Sequence, residues 1–417
     1  MGKNVLYISY DGMTDPLGQS QVLPYLEGLS KLGYQFTLLS FEKRDTYQQF
    51  GDLIRSKCRE AAIEWVPLMF HSRPPVLAKI YDRYKLFSMA QKLHKQRKFD
   101  LVHCRSYIAA ELGLKFTQKY GVKFLFDMRG FWADEKAEGG LWNQQKWMYR
   151  KIYQHYKRKE KEFVVRSAHI ISLTQAGKNE LAGLYDTELQ KTNSSIEKKC
   201  TVIPCCADLD HFNFEKINEE MKMALRKELG IHERSPVLSY SGSLGTWYML
   251  DEMLQFFKAF KFKYPGAAFL FLTKDVARLN DAVIKNEIDP ADIVIRFSSY
   301  DQLPIYLSLS DYSIFFIKPV YSKIASSPTK HAELMGMGIP VFCNDIGDTG
   351  FFLRQYPLGQ MVDIANHNFS SVINSMADQL VDRFKIRSVA KEHFDLSTGV
   401  KSYSKVYEQL FDDIIQH

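Results

Sequence analysis

The stretch VLSYSGSLGT at residues 237–246 decides the fold class. A run typical of a buried strand leads directly into two glycines, Gly242 and Gly245, and a helical pattern follows over residues 251–264. A strand that turns through glycine into a helix is the repeating unit of α/β proteins with parallel sheets. Such a loop can present backbone N–H groups to a phosphate, although a tight turn needs glycine for its geometry alone.

The same alternation of strand and helix patterns continues along the whole chain. It predicts parallel sheets covered by helices on both faces, grouped as two doubly wound, Rossmann-like domains. The predicted strands are 5–10, 36–41, 63–68, 101–105, 123–128, 169–174 and 201–204 in the first half, and 237–242, 268–273, 293–298, 312–317, 340–344 and 360–364 in the second. We therefore expect one domain over residues 1–205, a second over 206–395, and a final helix over 396–417.

Composition narrows the class of protein without identifying a ligand. The 417 residues carry 55 Lys and Arg against 48 Asp and Glu, a net charge of +7 that suits phosphate-bearing ligands or an anionic membrane surface. No apolar stretch reaches the roughly 18 to 20 residues that cross a bilayer, so we expect a cytoplasmic protein. The cluster of Cys200, Cys205, Cys206 and His211 lacks the usual spacing of zinc ligands, so we expect no metal.

A second glycine-containing loop follows the first predicted strand. Residues 10–20, YDGMTDPLGQS, lead into a helix predicted over 20–32. Gly12 and Gly18 let the backbone approach a ligand closely, and the helix N-terminus favours an anion. The alternative is a strand-to-helix turn that needs glycine only for its geometry.

The most informative segment is SSPTKHAEL at residues 326–334. Ser327 is suited to the N-cap of a helix and Pro328 to its first position. Lys330 then lies in the first turn, where the helix dipole disfavours a cation unless an anion binds there. Glu333 shares a helix face with Lys330, so the pair suits a nucleoside diphosphate: the cation on phosphate and the carboxylate on ribose hydroxyls. The alternative is a solvated Lys–Glu pair.

A third candidate segment, DMRGFWADE at residues 127–135, follows the fifth predicted strand. Aromatic faces stack on sugars, and Arg stabilises developing phosphate charge. We therefore assign Arg129 and Arg105, which ends the fourth predicted strand, to acceptor positioning or leaving-group charge. Loop-anchoring aromatics and a structural arginine are the alternative.

Residues 146–166 form a basic, aromatic segment with a helical pattern. Met148, Ile152 and Tyr156 are spaced as one face of a helix, which could lie on an anionic bilayer and approach a lipid-linked acceptor. A helix packed on the core, with a solvated basic face, is the alternative.

Taken together, these loops resemble glycosyltransferase family 4, whose members have the GT-B fold. The resemblance extends to VIP at 202–204 leading to Asp208 and Phe212, to IISLTQ at 170–175, and to the segment 327–341, which contains SPTK, Glu333 and GIPV. It covers nearly the whole chain, and the order and spacing of its pieces are specific.

The resemblance implies a retaining, metal-independent transferase that holds a nucleotide-sugar in the cleft between its two domains. Donor contacts would come mainly from the second domain and acceptor contacts from the first, and the terminal helix would pack back on the first domain. The loops and the resemblance together give these expected donor-binding residues: Gly18, Gly242, Ser243, Lys318, Ser327, Thr329, Lys330 and Glu333.

Three departures from the family pattern stand out. Ala325 occupies the position of the first acid in the family's Glu-x7-Glu pair, so only Glu333 matches. The Arg and Lys that often follow the glycine loop of the second domain are missing from residues 243–247, which leaves Lys330, with Lys318 or Lys323, to neutralise a diphosphate. The histidine often found after the fourth strand is replaced by Arg105.

The sequence therefore predicts a glycosyltransferase that acts on a glycan or lipid-linked saccharide, in cell-surface polysaccharide synthesis. It would use no cofactor and bind no nucleic acid. A sugar-nucleotide epimerase of the same fold and a non-catalytic partner subunit are the alternatives.

Overall fold

The structure, a computed structural model, describes residues 3–415. The chain divides into two compact units: Met1–Pro204 together with Gly399–His417, and Cys205–Thr398. Each unit is built on one parallel sheet with helices between its strands.

The N-terminal unit contains, within the described residues, a seven-stranded sheet in the order β3-β2-β1-β4-β5-β6-β7. Its strands are β1 Lys3–Ser9, β2 Tyr34–Glu42, β3 Glu64–Met69, β4 Leu101–Arg105, β5 Lys123–Asp127, β6 His169–Ser172 and β7 Cys200–Val202. Its helices are α1 Pro16–Gln21, α2 Leu23–Lys31, α3 Arg44–Glu60, α4 Pro75–Arg97, α5 Ser106–Tyr120, α6 Trp132–Glu138, α7 Trp147–Arg166, α8 Gln175–Gln190 and α9 Ile196–Lys199.

The C-terminal unit contains, in the part of the chain that is described, a six-stranded sheet in the order β10-β9-β8-β11-β12-β13. Its strands are β8 Val237–Ser241, β9 Ala268–Leu272, β10 Ile293–Arg296, β11 Tyr312–Phe315, β12 Val341–Cys343 and β13 Gly359–Met361. Its helices are α10 Glu219–Glu228, α11 Leu250–Lys263, α12 Val276–Lys285, α13 Leu303–Leu307, α14 Thr329–Gly336, α15 Thr349–Gln355, α16 Phe369–Ala377 and α17 Arg383–His393, and α18 Leu396–Ile415 follows them.

The predicted fold class is confirmed, because both sheets are parallel and doubly wound. The strand order reverses at the first strand of each sheet, between β1 and β4 and between β8 and β11. In open α/β sheets, ligands bind beyond the carboxyl ends of the strands at such reversal points. Ligand-binding residues are therefore expected directly after β1, β4, β8 and β11.

Two helix boundaries differ from the predictions. The helix expected over 20–32 is two helices, α1 and α2, which are separated at Val22 (φ −126°, ψ −63°). Pro24 follows this break near the start of α2, where its missing N–H removes no helical hydrogen bond. Helix α14 begins at Thr329, so Pro328 rather than Ser327 occupies its N-cap position.

The last helix, α18, packs on the N-terminal unit. Tyr403 donates a hydrogen bond to Asp127 at 3.1 Å, and the Tyr407 hydroxyl lies 2.7 Å from His103 Nδ1. Val400 packs so tightly against Gly28 that a Cβ on this glycine would lie 2.6 Å from a Val400 methyl. Residues 416–417 of the predicted helix lie outside the described residues.

The basic helix predicted at 146–166 is present as α7, and the face that packs on the protein core is apolar. Tyr156, Phe163 and Val164 are buried, so the inner part of its apolar stripe belongs to the core. Trp147 and Met148, at its first turn, are exposed. Among the described residues, no helix is long and apolar enough to span a membrane.

Candidate functional site

The first turn of α14 brings Lys330 under the loop that follows β8. The Lys330 ammonium lies 3.9 Å from the ring centroid of Tyr240 and 3.7 Å from that of Tyr248. Gly242, with φ +115°, comes so close that a Cβ there would lie 3.2 Å from Lys330 Nζ. Two of the predicted donor-binding residues, Gly242 and Lys330, are thus direct neighbours.

The Lys330 ammonium is buried without a counter-ion at hydrogen-bond distance. The residue is 8% exposed, and no group among the described residues forms a hydrogen bond with Nζ. Burial lowers the pKa of Lys330 well below its ordinary range, and Glu333 opposes the shift only in part. Because cation–π contacts recover about 1–2 kcal/mol, much less than the cost of desolvating a charge, an anion would stabilise this site.

Glu333 lies one helical turn from Lys330 and is half-buried. Burial raises the pKa of its carboxyl group to about 7, with Lys330 acting in the opposite direction. Burial also raises the pKa of Tyr248 to about 12, and the charge of Glu333 contributes to that shift. Lys330, Glu333 and Tyr248 therefore form one electrostatically coupled group.

The start of α14 has no side-chain cap. Ser327, predicted as the capping residue, instead accepts a hydrogen bond from the backbone N–H of Cys205 at 3.2 Å. Thr329, the first helical residue, is half-buried. Because the first N–H groups of a helix have no intrahelical acceptor, this uncapped end adds donors beside the Lys330 ammonium.

The loop after β8 is held by its own contacts and leaves Ser243 exposed. Leu244 donates its N–H to the Asp275 carboxylate at 2.6 Å, and the Tyr240 hydroxyl donates to the carbonyl of Ser243. Ser241, just before Gly242, is buried, and its hydroxyl has no partner among the described residues. The loop thus has a fixed shape, an exposed serine and an unsatisfied hydroxyl.

The remaining predicted cations lie at different places. Lys318 is exposed, and no described contact joins its ammonium to Lys330 or Glu333. Lys323 is buried, with Nζ 4.0 Å from the ring centroid of Trp247. Ala325, which replaces the first acid of the family pair, is also buried.

The loop after β1 differs from the expectation of an anion site. The carboxylate of Glu42, at the end of β2, accepts hydrogen bonds from the N–H groups of Met13 and Thr14, at 2.8 and 3.0 Å, and from the Thr14 hydroxyl at 2.6 Å. Gly18 is buried, and a Cβ there would lie 2.2 Å from the Gly12 carbonyl oxygen. Gly18 therefore allows two backbone segments to pack closely. The N–H groups of Met13 and Thr14 are already bonded to the Glu42 carboxylate rather than free for a ligand.

The two predicted catalytic arginines share one buried carboxylate. Strand register pairs Ser9 with Arg105 and Arg105 with Asp127 at the carboxyl ends of β1, β4 and β5. Asp127 lies 3.9 Å from the Arg105 guanidinium and 3.8 Å from that of Arg129. Burial acts to raise the pKa of Asp127, but Arg129, His103 and Arg105 outweigh it and hold that pKa at about 2.

The aromatic residues near Arg129 pack within the N-terminal unit. Phe131 is fully buried, and the Trp132 ring makes edge contacts with Trp142 and Tyr156, with centroids 5.2 and 4.9 Å apart. The expectation that this segment offers aromatic faces to a sugar is therefore not met by Phe131. Arg129 itself is mostly buried and adopts a left-handed backbone conformation, with φ +57°.

Sequence reasoning missed four residues that organise these sites: Glu42, Asp127, Tyr240 and Tyr248. Glu42 and Asp127 are acids at the carboxyl end of a buried strand, a pattern that could have marked them. The two tyrosines flank the glycine loop, but nothing in their spacing shows that they face Lys330. Within the described residues, no group of three or more His, Cys, Asp or Glu side chains could hold a metal ion.

Known proteins resemble this chain in sequence over its first half and in fold over its whole length. The family model of Glycosyltransferase Family 4 matches residues 20–211. The sucrose-phosphate synthase of Thermosynechococcus elongatus is 14% identical, with a TM-score of 0.72 over 99% of this chain and 100% of that one. No curated protein sequence matches the chain significantly.

Two further structures have the same fold. Anabaena HepE, solved in complex with UDP and glucose, is 12% identical, with a TM-score of 0.68 over 98% of this chain and 100% of that one. WaaG, a glycosyltransferase involved in lipopolysaccharide biosynthesis, is 12% identical, with a TM-score of 0.66 over 97% and 99% of the two chains. At these identities the likeness concerns the fold, which is that of the GT-B glycosyltransferases.

Proposed function

We propose that this chain, whose residues 20–211 match the family model of Glycosyltransferase Family 4, is a retaining, nucleotide-sugar-dependent glycosyltransferase of the hexosyltransferase type. It transfers its sugar to a hydroxyl of a glycan or lipid-linked saccharide, in the cytoplasm, during cell-surface polysaccharide synthesis. The presence of UDP and glucose in the HepE structure supports a nucleotide-sugar donor for a chain of this fold.

The observation that carries the proposal is the buried Lys330 ammonium, which has no hydrogen-bond partner among the described residues. A protein keeps an unpaired buried cation against a free-energy cost, so a ligand that supplies the counter-charge is the simplest reason for it. A diphosphate has that charge and also accepts hydrogen bonds from the uncapped N–H groups of α14 and the hydroxyl of Ser243 or Thr329.

Glu333 is the group that recognises the nucleoside in this proposal. Glu333 lies one helical turn from Lys330, and its carboxyl oxygens can accept hydrogen bonds from ribose hydroxyls. Lys330 neutralises charge on the leaving nucleoside diphosphate, so no metal ion and no cofactor are required. Retention follows from attack on the same face of the sugar as the departing diphosphate, and no side-chain nucleophile is assigned.

Arg105 and Arg129 serve the acceptor side of the proposed reaction. Asp127 holds both guanidinium groups at the carboxyl ends of β4 and β5, where α/β folds place their ligands. Because Asp127 already holds the two guanidinium groups in place, they can orient an acceptor or stabilise phosphate charge without first having to rearrange.

A substitution pair separates a binding role for Lys330 from a structural one. Lys330→Met keeps the length of the side chain and removes the charge, so the donor-free protein gains about 1 kcal/mol of stability, while the affinity for the correct donor falls about 50-fold. Lys199→Met is the matched control, because Lys199 Nζ donates a hydrogen bond to the Val165 carbonyl at 2.6 Å. This control loses stability and keeps its donor affinity.

Thermal-shift titration with UDP-, GDP-, ADP- and dTDP-sugars measures both quantities, since a ligand that binds only the native state raises its melting temperature. A donor-induced shift that is equal in wild type and Lys330→Met would overturn the site. Product analysis then tests the reaction: a donor sugar that is epimerised without an acceptor, or donor binding with no transfer to any acceptor, contradicts the transferase assignment.

A further inference from the structure

Helix α4 of the N-terminal unit has apolar side chains on two opposite faces. Its inner face packs on the core through Ala78, Leu86, Ala90 and Leu93, all buried. A second set of apolar side chains faces solvent at positions i, i+3, i+4 and i+7, and we call it the α4 stripe: Leu77, 64% exposed, Ile80, 57%, Tyr81, 49%, and Tyr84, 71%. A helix on the protein surface usually has one apolar face, which packs on the core. A second, exposed apolar face therefore indicates contact with another molecule or a membrane.

Three cations of α4 lie in the turns that carry the α4 stripe: Lys79, Arg83 and Lys85. Arg83 lies 3.6 Å from Glu111 of α5, and the one acid of α4 itself is Asp82. Asp82 is fully buried and is held by His71 Nδ1, at 2.6 Å, and by the Tyr10 hydroxyl. Because its only carboxylate points inward, the exposed surface of α4 combines apolar side chains with cations, a match for an anionic surface that also has an apolar layer.

The kinds of residue in the stripe favour a lipid bilayer over a protein partner. Tyrosine rings prefer the level of the lipid headgroups, and lysine stems can lie along an apolar surface while the ammonium stays in water. Lys85 already follows this pattern, with Nζ 5.7 Å from the Tyr81 ring centroid. Four side chains offer far less than the roughly 800 Å² that each partner buries in a standard protein interface, but suffice for reversible adsorption to a membrane.

Helix α7, the element that the sequence marked for membrane contact, offers a smaller exposed apolar surface. Its Tyr156 is buried and takes a hydrogen bond from the Arg83 guanidinium of α4, so the two helices are neighbours. Only Trp147 and Met148, at its first turn, expose large apolar side chains.

We propose that the N-terminal unit docks on anionic lipid bilayers through the α4 stripe, with the cations of α4 contacting the headgroups. This inference does not depend on the proposed transferase activity, because it concerns adsorption of the donor-free protein.

Co-sedimentation of the full chain with phospholipid vesicles tests the proposal. Wild type binds vesicles of 30% phosphatidylglycerol in phosphatidylcholine, and its binding weakens with salt and on phosphatidylcholine alone, because part of the attraction is electrostatic. The double variant Ile80→Glu/Tyr84→Glu binds about 10-fold or more weakly, since it removes two inserted apolar side chains and adds two like charges.

Two double variants with the same charge change serve as comparisons. Phe262→Glu/Ile284→Glu alters two residues of the C-terminal unit that are 91% and 74% exposed, and it binds vesicles within about 2-fold of wild type. Trp147→Glu/Met148→Glu tests the first turn of α7, and we expect a smaller loss than in the α4 variant. All variants keep the wild-type melting temperature, because the replaced side chains are exposed.

Three outcomes would overturn the inference. The first is wild type that stays in the supernatant with anionic vesicles at low salt. The second is equal vesicle binding by wild type and the α4 variant. The third is a dimer in sedimentation velocity that becomes a monomer in the α4 variant, which would assign the stripe to a second copy of the chain. Donor-induced thermal shifts, measured on the same samples, report on the proposed function separately.

Discussion

The loops that follow β1 and β8 occupy equivalent places in their sheets, yet they satisfy their polar groups in opposite ways. In the N-terminal unit the loop donors Met13 N–H and Thr14 N–H are taken by Glu42. In the C-terminal unit the loop covers Lys330, whose ammonium contacts tyrosine faces and has no hydrogen bond among the described residues. The first loop has an anion of the chain itself, whereas no anion within the described residues forms a hydrogen bond with the ammonium under the second loop.

The buried cations of the two units show the same difference. Arg105 and Arg129 are paired with Asp127 within 4 Å, and Asp127 is also held by Tyr403 of the last helix. Among the described residues, Glu333 is the charged group that acts against the lowered pKa of Lys330, and the pKa of its own carboxyl group is raised to about 7, so the two groups do not form a fully charged pair. Buried cations can thus be paired within the protein in one unit and lack a paired carboxylate in the other, and the unpaired Lys330 is the one that favours binding of an anion.

The largest predicted effect follows from removing the internal anion of the first loop. In Glu42→Gln, either orientation of the amide turns an NH2 group toward a backbone N–H donor, since Oε1 accepts from Met13 N–H and Oε2 accepts from Thr14 N–H. We expect a loss of about 3–5 kcal/mol in the free energy of unfolding, measured by urea denaturation.

Donor affinity distinguishes the two loops in the same variant. If the loop after β1 is purely structural, folded Glu42→Gln binds the nucleotide-sugar as wild type does, measured by calorimetry below its melting temperature. A donor affinity reduced more than about 10-fold, about 1.4 kcal/mol, would show that this loop contacts the donor and would remove the contrast.

The second prediction concerns Asp127, the shared counter-ion of Arg105 and Arg129. Its pKa in the native protein is about 2, below the ordinary value of 3.8, so the ionised carboxylate stabilises the fold above about pH 4. We expect Asp127→Asn to cost about 2–3 kcal/mol at pH 7, with the difference from wild type shrinking as the pH falls from about 4 to 2. Urea denaturation at a series of pH values measures this, and a difference that does not change with pH would contradict the pairing.

The sequence predicted the fold well because parallel strands are buried on both faces and therefore have a local composition that can be recognised. Each predicted strand is present, and each sheet has a doubly wound order. The break at Val22 was missed because the helical pattern of 20–32 continues through it. The sequence did not identify α4 as a membrane-binding element. Its sequence does not show which of its apolar residues are buried and which are exposed; only the tertiary structure does.

The candidate site was predicted less completely, because polar partners depend on strand register and on contacts distant in sequence. The proximity of Gly242 and Lys330 agrees with their assignment to one site. The pairing of Arg105 and Arg129 through Asp127 depends on the alignment of β4 with β5, which a single sequence does not contain. Ser327 was wrong as a capping residue, since Cys205, more than 100 positions away, donates to its hydroxyl.

The third prediction uses the raised pKa of Glu333. Because the native carboxyl group has a pKa of about 7 against an ordinary 4.5, the native state holds a proton that the unfolded state releases between these values. The wild type therefore loses stability relative to Glu333→Gln as the pH rises from 4.5 to 7, and the difference is constant above pH 7. We expect about 1–2 kcal/mol, since Glu333 is half-buried and solvent screens part of the effect. Parallel stability profiles for the two proteins would contradict the raised pKa of the Glu333 carboxyl group.

The smallest expected effect on stability, about 1 kcal/mol, comes from glycine substitutions in the C-terminal unit, and it isolates contact with Lys330. Gly242 and Gly230 both have positive φ, +115° and +69°, so an alanine is strained at either position. A Cβ at Gly242 would lie 3.2 Å from Lys330 Nζ, whereas a Cβ at Gly230 would have nothing within 4 Å. Gly242→Ala should therefore weaken donor binding about 10-fold by crowding the ammonium, while Gly230→Ala should leave the affinity unchanged. Equal donor affinities in calorimetric titrations of the two variants would mean that the diphosphate does not use the space beside Lys330, and the C-terminal loop would then be as self-contained as the N-terminal one.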